Sequence, residues 1–138
     1  MIQVKDVRVK FHSAQESFNQ KEEQRKLLQG KLYESHGAIC LQFRDDEMNE
    51  EIVTHIEVKN NNEVVVRRTG IITSEMRFKK DETHKSSHKT GFGCVRFEMA
   101  TKELDIDADI ESVDIHIVYD LISAGGLVST NYVDIVAK

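Results

Sequence analysis

Proline and tryptophan are both absent from the 138 residues, and aromatic residues make up only 7% of them. Proline alone among residues cannot donate a ladder hydrogen bond, so a chain without it is free to spend its backbone in sheet. Cysteine is scarce as well. Cys40 and Cys94 are the only two, too few for a disulfide scaffold and in keeping with a reduced, cytoplasmic protein. No apolar run approaches the ~18 residues of a spanning helix. Met1 to Lys10 alternates charge with valine instead of presenting the apolar stretch of a secretory signal. No membrane partner is expected on these grounds. An excess of positive charge is also missing: 19 basic against 24 acidic residues give a net charge of −5. That excludes a global electrostatic footprint for nucleic acid.

What is present fits one ordinary domain spanning residues 1–138. Charged residues at 31% and hydrophobic ones at 39% are too apolar for disorder. The dominant period is two. Val7, Val9 and Phe11 face one way, with charges between them, and the pattern recurs at Ile39, Leu41, Phe43 and at Ile52, Ile56, Val58. It recurs again at Met76 and Phe78, at Val95, Phe97 and Met99, and most clearly from Val113 to Leu121. Strands buried on one face and wetted on the other produce this alternation. Helical spacing appears only between Ala14 and Leu28, where Gln, Glu and Lys support a turn or two.

Turn residues punctuate the runs at Ser35-His36-Gly37, Asn60-Asn61-Asn62, Lys80-Asp81-Glu82, Gly91-Phe92-Gly93 and Ala124-Gly125-Gly126. Ten strands follow, over 2–13, 24–34, 38–45, 52–59, 63–69, 71–79, 83–90, 93–103, 111–122 and 127–137. Short links between neighbours predict an all-β, antiparallel up-and-down meander. Closure into a barrel removes the exposed edges; a two-sheet sandwich is the alternative that periodicity leaves open.

Several segments resemble a known family. Arg68-Thr69-Gly70, Ser74-Glu75-Met76-Arg77-Phe78, Thr90-Gly91-Phe92-Gly93 and Thr101-Lys102-Glu103-Leu104 carry the likeness, with the hairpin from Ile115 through Gly126 to Ile135. Together they resemble the YwiB-like family of small bacterial β-barrel proteins. The resemblance implies a lipocalin-like, ten-stranded barrel of the calycin type and no established activity. Family members tend to carry a tyrosine and a proline where this chain has His88 and Gly91. The chain also lacks the Gly-x-Trp signature of secreted lipocalins.

Strand parity indicates which polar groups share the apolar face. Arg68 lies on the side of Val64 and Val66, and Ser74 on the side of Met76 and Phe78. His84, Ser86, His88 and Thr90 share a face opposite Lys85, Ser87 and Lys89. An inward arginine needs a carboxylate, a set of acceptors or a ligand, because a buried charge without one is very costly. The functional reading is a binding site for a small, partly apolar anion at Arg68, Ser74, His88 and Thr90. The other reading is a structural or protein-interaction module whose barrel is filled by side chains.

Metal, cofactor and catalytic signals are weak. His84 and His88 on a strand sit ~13 Å apart, too far to share one ion. Asp105, Asp107, Asp109 and Glu111 lack the glycine and terminal glutamate of a calcium loop and read as a solvated face. Asp45-Asp46-Glu47 reads as loop charge, and the basic run Arg77 to Lys89 as a solvated hairpin. No nucleophile elbow, phosphate loop or dinucleotide fingerprint occurs. The expectation is therefore no catalytic residue, no metal and no cofactor.

Overall fold

The computed structural model describes residues 3–47, 50–124 and 126–138. Ten strands run antiparallel in sequence order: β1 (Val4–Ser17), β2 (Gln20–Ser35), β3 (Ala38–Glu47), β4 (Glu50–Lys59) and β5 (Glu63–Gly70). They continue as β6 (Thr73–Lys79), β7 (Thr83–Thr90), β8 (Gly93–Ala108), β9 (Val113–Ser123) and β10 (Gly126–Ala137). β10 returns to pair with β1, from Val9 opposite Ala137 to Glu16 opposite Thr130, and the sheet closes into a barrel. Closure settles the choice against a sandwich.

Tight turns fix the register. His36 and Gly37 both take positive φ, as do Asn60 and Asn61, which is the backbone that short hairpins require. At Gly70 the φ is 135°, and a Cβ there would fall 2.4 Å from the Glu51 carbonyl oxygen. Only glycine lets β5 pass so close to β4.

The helical expectation for Ala14 to Leu28 is overturned. β1 continues to Ser17, turns at Phe18-Asn19, and β2 begins at Gln20, with Ala14 opposite Glu23 and Ser17 opposite Gln20. Isolated short helices are marginal in water, whereas this segment gains a ladder to β2 and one to β10. β8 likewise extends past 103 to Ala108, so Asp105 and Asp107 are its exposed outer face and Leu104 and Ile106 its inner one. A bulge between Thr101 and Glu103 shifts the parity midway.

The core fills one half of the barrel. Val7, Val9, Leu32, Val64, Met99 and Ile115 are packed there with Val113 and Ala137. This is the end that holds the turns at 36–37, 60–62 and 80–82. The opposite half, toward the turns at 18–19, 71–72 and 91–92, is not packed solid. One ladder is incomplete there, and a second toward the turn at 80–82. β2 pairs with β3 only as far as Gly30 opposite Phe43, and β6 pairs with β7 only at Thr73 opposite Lys89 and Ser74 opposite His88, among the described residues.

Candidate functional site

Inside that upper half lies a cavity of about 380 Å³. Its walls are mostly apolar: Phe11 and Phe43, Ile56 and Val66, Ile117 and Ile135. Phe11 and Phe43 lie with ring centroids 6.3 Å apart, and Phe78 packs on Tyr119 at 4.8 Å. Polar groups share the wall, among them Lys26, Asp45, Thr54, Arg68 and Tyr119, with the acidic Glu22 and Glu23 also bordering the space.

Register assembles three of the four residues that parity singles out. Thr54 stands opposite Arg68, Arg68 opposite Ser74, and Ser74 opposite His88, so the row crosses β4 to β7 on the inner face. Arg68 borders the cavity, whereas Ser74 and His88 lie further along the same row and do not line it. The backbone of Thr90 pairs with Gly93, nearer the barrel mouth. Its side chain lies outside the described residues.

Burial leaves marks on this row. Ser74 is 5% exposed, and its Oγ and the His88 Nε2 are buried with no hydrogen-bond partner among the described residues. The His88 ring instead meets the edge or face of Phe97 at 4.5 Å. Desolvation pushes the His88 pKa down, and the nearby charge of Arg68 pushes the same way. His88 is thus neutral at neutral pH. Burial pushes the Tyr119 phenol up to about 12, with Arg68 pulling slightly back. Tyr119 therefore keeps its proton and remains a hydrogen-bond donor at the cavity wall.

Sequence reasoning missed the internal ion pair. Lys26 and Asp45 are joined across the gap where β2 and β3 no longer pair, and both border the cavity. Reading Asp45 as loop charge is therefore corrected: its side chain is only 19% exposed and faces inward with Leu41 and Phe43. Parity carried the signal. Lys26 shares a side with Leu28, as Arg68 does with Val66. The Lys26 ammonium is taken up by Asp45, so what the chamber offers an anion is the Arg68 guanidinium with protonated hydroxyls on a partly apolar wall.

Comparison with known proteins agrees with the barrel. The crystal structure of YwiB protein from Bacillus subtilis superposes with a TM-score of 0.88 at 21% identity, covering 98% of this chain and 92% of that one. At that identity the likeness concerns the fold alone. No curated protein matches the chain. Residues 9–135 match the family described as "Domain of unknown function (DUF1934)", and with all but the ends of the barrel inside the match, the chain belongs to that family.

Proposed function

We propose that the barrel binds a small, partly apolar anion in its upper cavity, with Arg68 as the cationic anchor. Ser74 and His88, which lie along the same inner row just beyond the cavity, and Thr90 by its place on the His88 strand, are the groups that would add hydrogen bonds to a ligand extending past Arg68. The observation that carries this reading is the chamber itself: about 380 Å³ of space, walled by aromatic and aliphatic side chains, with an arginine on its wall. The two partnerless polar atoms beside Arg68 add support. Each costs about 1–3 kcal/mol unless a water or a ligand meets it. The cytoplasm is the proposed compartment, since Cys40 and Cys94 are both unbridged. The packed lower half favours a second reading, a structural or interaction module in which nothing enters the barrel.

Native mass spectrometry of protein purified from its own host, seeking retained small molecules, is the direct test. Thermal melts with decanoate and with 1-anilinonaphthalene-8-sulfonate as probe anions supply the control. Arg68→Met should melt at the same or a higher temperature than wild type and lose the stabilisation that the probes confer. If Arg68 serves a structural carboxylate instead, the substitution should cost about 3–5 kcal/mol in the ligand-free protein. That outcome defeats the binding reading.

A further inference from the structure

The open end of the barrel carries an apolar arc that is cationic on its β7–β8 tip. Closed strand order places the five hairpin tips around the rim as β5–β6, β7–β8, β9–β10, β1–β2 and β3–β4. Four consecutive tips expose large apolar side chains: Ile71, Phe92, Leu127 with Val128, and Phe18. Phe92 is 98% and Phe18 99% exposed. Phe18 moreover sits at φ 51°, a conformation unfavourable for a bulky residue. Scattered surface apolar groups need no explanation, but a run of them on adjacent tips marks an interaction site.

Charge divides the same rim. From Thr83 to Phe97 there is no acidic residue, while Lys85, Lys89 and Arg96 are present and form no ion pair with the described residues. From Leu121 to Val133 there is no charge at all. The fifth tip is the opposite, with Asp46, Glu47, Glu50 and Glu51 on the strand ends that meet there. In the ring of five it lies across from β7–β8 and β9–β10. β8 pairs with β9 only from Glu98 opposite Ile122, so the β7–β8 tip rises roughly 13 Å above the end of β9. At its foot is an open depression of about 580 Å³ between Lys85, Ser87, Arg96 and Glu98 on one side and Ile122 and Ala124 on the other, with Glu98 directly opposite Lys85.

We infer that this arc docks on the surface of an anionic phospholipid bilayer. Phe92 and Leu127 enter the headgroup layer, and the exposed Lys89 and Arg96 meet the lipid phosphates beside them. The pairing of exposed apolar tips with cations is what such a surface attracts. The acidic tip across the ring keeps the opposite side of the rim raised. No spanning segment is needed, so the lack of one bears only on crossing a membrane. The inference stands apart from the interior ligand, since it uses no residue of the cavity.

Co-sedimentation with phosphatidylcholine vesicles, with and without phosphatidylglycerol, tests it. Wild type should bind the phosphatidylglycerol vesicles at least about ten-fold more tightly than pure phosphatidylcholine. Lys89→Gln with Arg96→Gln should weaken that binding about thirty-fold. Phe92→Ser should weaken it about ten-fold, and Leu127→Ser on a separate hairpin gives an independent reading should the first variant fail to fold. Ile110→Ser, exposed at the far end of the barrel, should leave it unchanged. Equal binding to both vesicle types, no binding to either, or an equal loss with Ile110→Ser overturns the inference. So does a dimer in analytical ultracentrifugation that Phe92→Ser dissociates, because the arc would then be covered by a second copy.

Discussion

The lower and upper halves of the barrel are built from the same strands and obey different rules. Below, inward positions are valine, leucine, isoleucine and methionine at near-zero exposure, and they pack side chain to side chain. Above, the same strands turn Gln24, Lys26, Asp45, Thr54, Arg68 and Tyr119 to the inside, and space remains between them. The lower half supplies stability. The upper half spends some of it, with an internal ion pair, the interrupted β2–β3 ladder and partnerless polar atoms. Sites of function tend to violate local rules of stability in this way.

The largest contrast should appear in thiol reactivity. Cys40 lies on the outer face yet is only 4% exposed, between Tyr33 and Glu57, and burial pushes its thiol pKa up. Cys94 is exposed near the rim. Labelling of the native protein without reductant should give one rapid equivalent at Cys94. The second, at Cys40, should be slower by about a thousand-fold and limited by opening of the sheet. Two rapid equivalents would mean that the lower wall is no more rigid than the rim.

Side-chain truncation should separate the halves next. Leu32→Ala opens a hole in the packed half and should cost about 3 kcal/mol. Leu28→Ala, four residues along the same strand and facing existing space, should cost about 1 kcal/mol, because little packing is lost. Urea denaturation reads both. Equal losses would show that the upper chamber collapses onto its lining.

The smallest effect is on the pH dependence of stability, and here the interior opposes the outer wall. His116, on the outside, bonds Asp134 at 2.6 Å and Glu103 at 3.2 Å, while Asp134 also meets His12. Those carboxylates raise the His116 pKa above 6.5. Its stabilisation is complete below 6.5 and is lost as pH rises through the raised value. His88 is lowered from 6.5 by burial and by Arg68, so its neutral form is favoured above 6.5, and acidification below that point destabilises the fold. His88→Gln should therefore flatten the loss of stability on the acid side. His116→Gln should deepen it. Urea midpoints on either side of pH 6.5 check the signs.

Legibility in the sequence follows the same division. Where the inside is apolar, period two is plain, and strands such as Val113 to Leu121 are read directly. From Ala14 to Leu28 the inner face is polar because it borders the cavity, so alternation vanishes and a helical spacing appears in its place. Asp45 looked like loop charge for the same reason. Parity placed Arg68, Ser74 and His88 inward, but their alignment in one row depends on turn lengths at Gly70 to Ile72 and at Lys80 to Glu82, which fix register and are only weakly encoded in residue type. The bulges at Thr101 to Glu103 and Leu127 to Ser129 reverse parity without any glycine or proline at Thr101, Lys102 or Glu103 to announce the first.

The β6–β7 junction has a topological consequence. Chain ends usually mark the loosest point of a closed sheet, yet here they are clasped: Arg8 and Lys138 exchange backbone hydrogen bonds at 3.0 and 3.2 Å beside the long β1–β10 ladder. The loose junction lies mid-chain, where the Ser86 hydroxyl donates to the Glu75 carbonyl at 2.6 Å in place of a continued ladder. Connectivity and mechanical continuity are thus out of step. The barrel is held like a bracelet whose clasp is stronger than one of its links, and a molecule with its ends joined and its backbone severed at Lys80 to Glu82 would be cut at the place where the ring is already most nearly open.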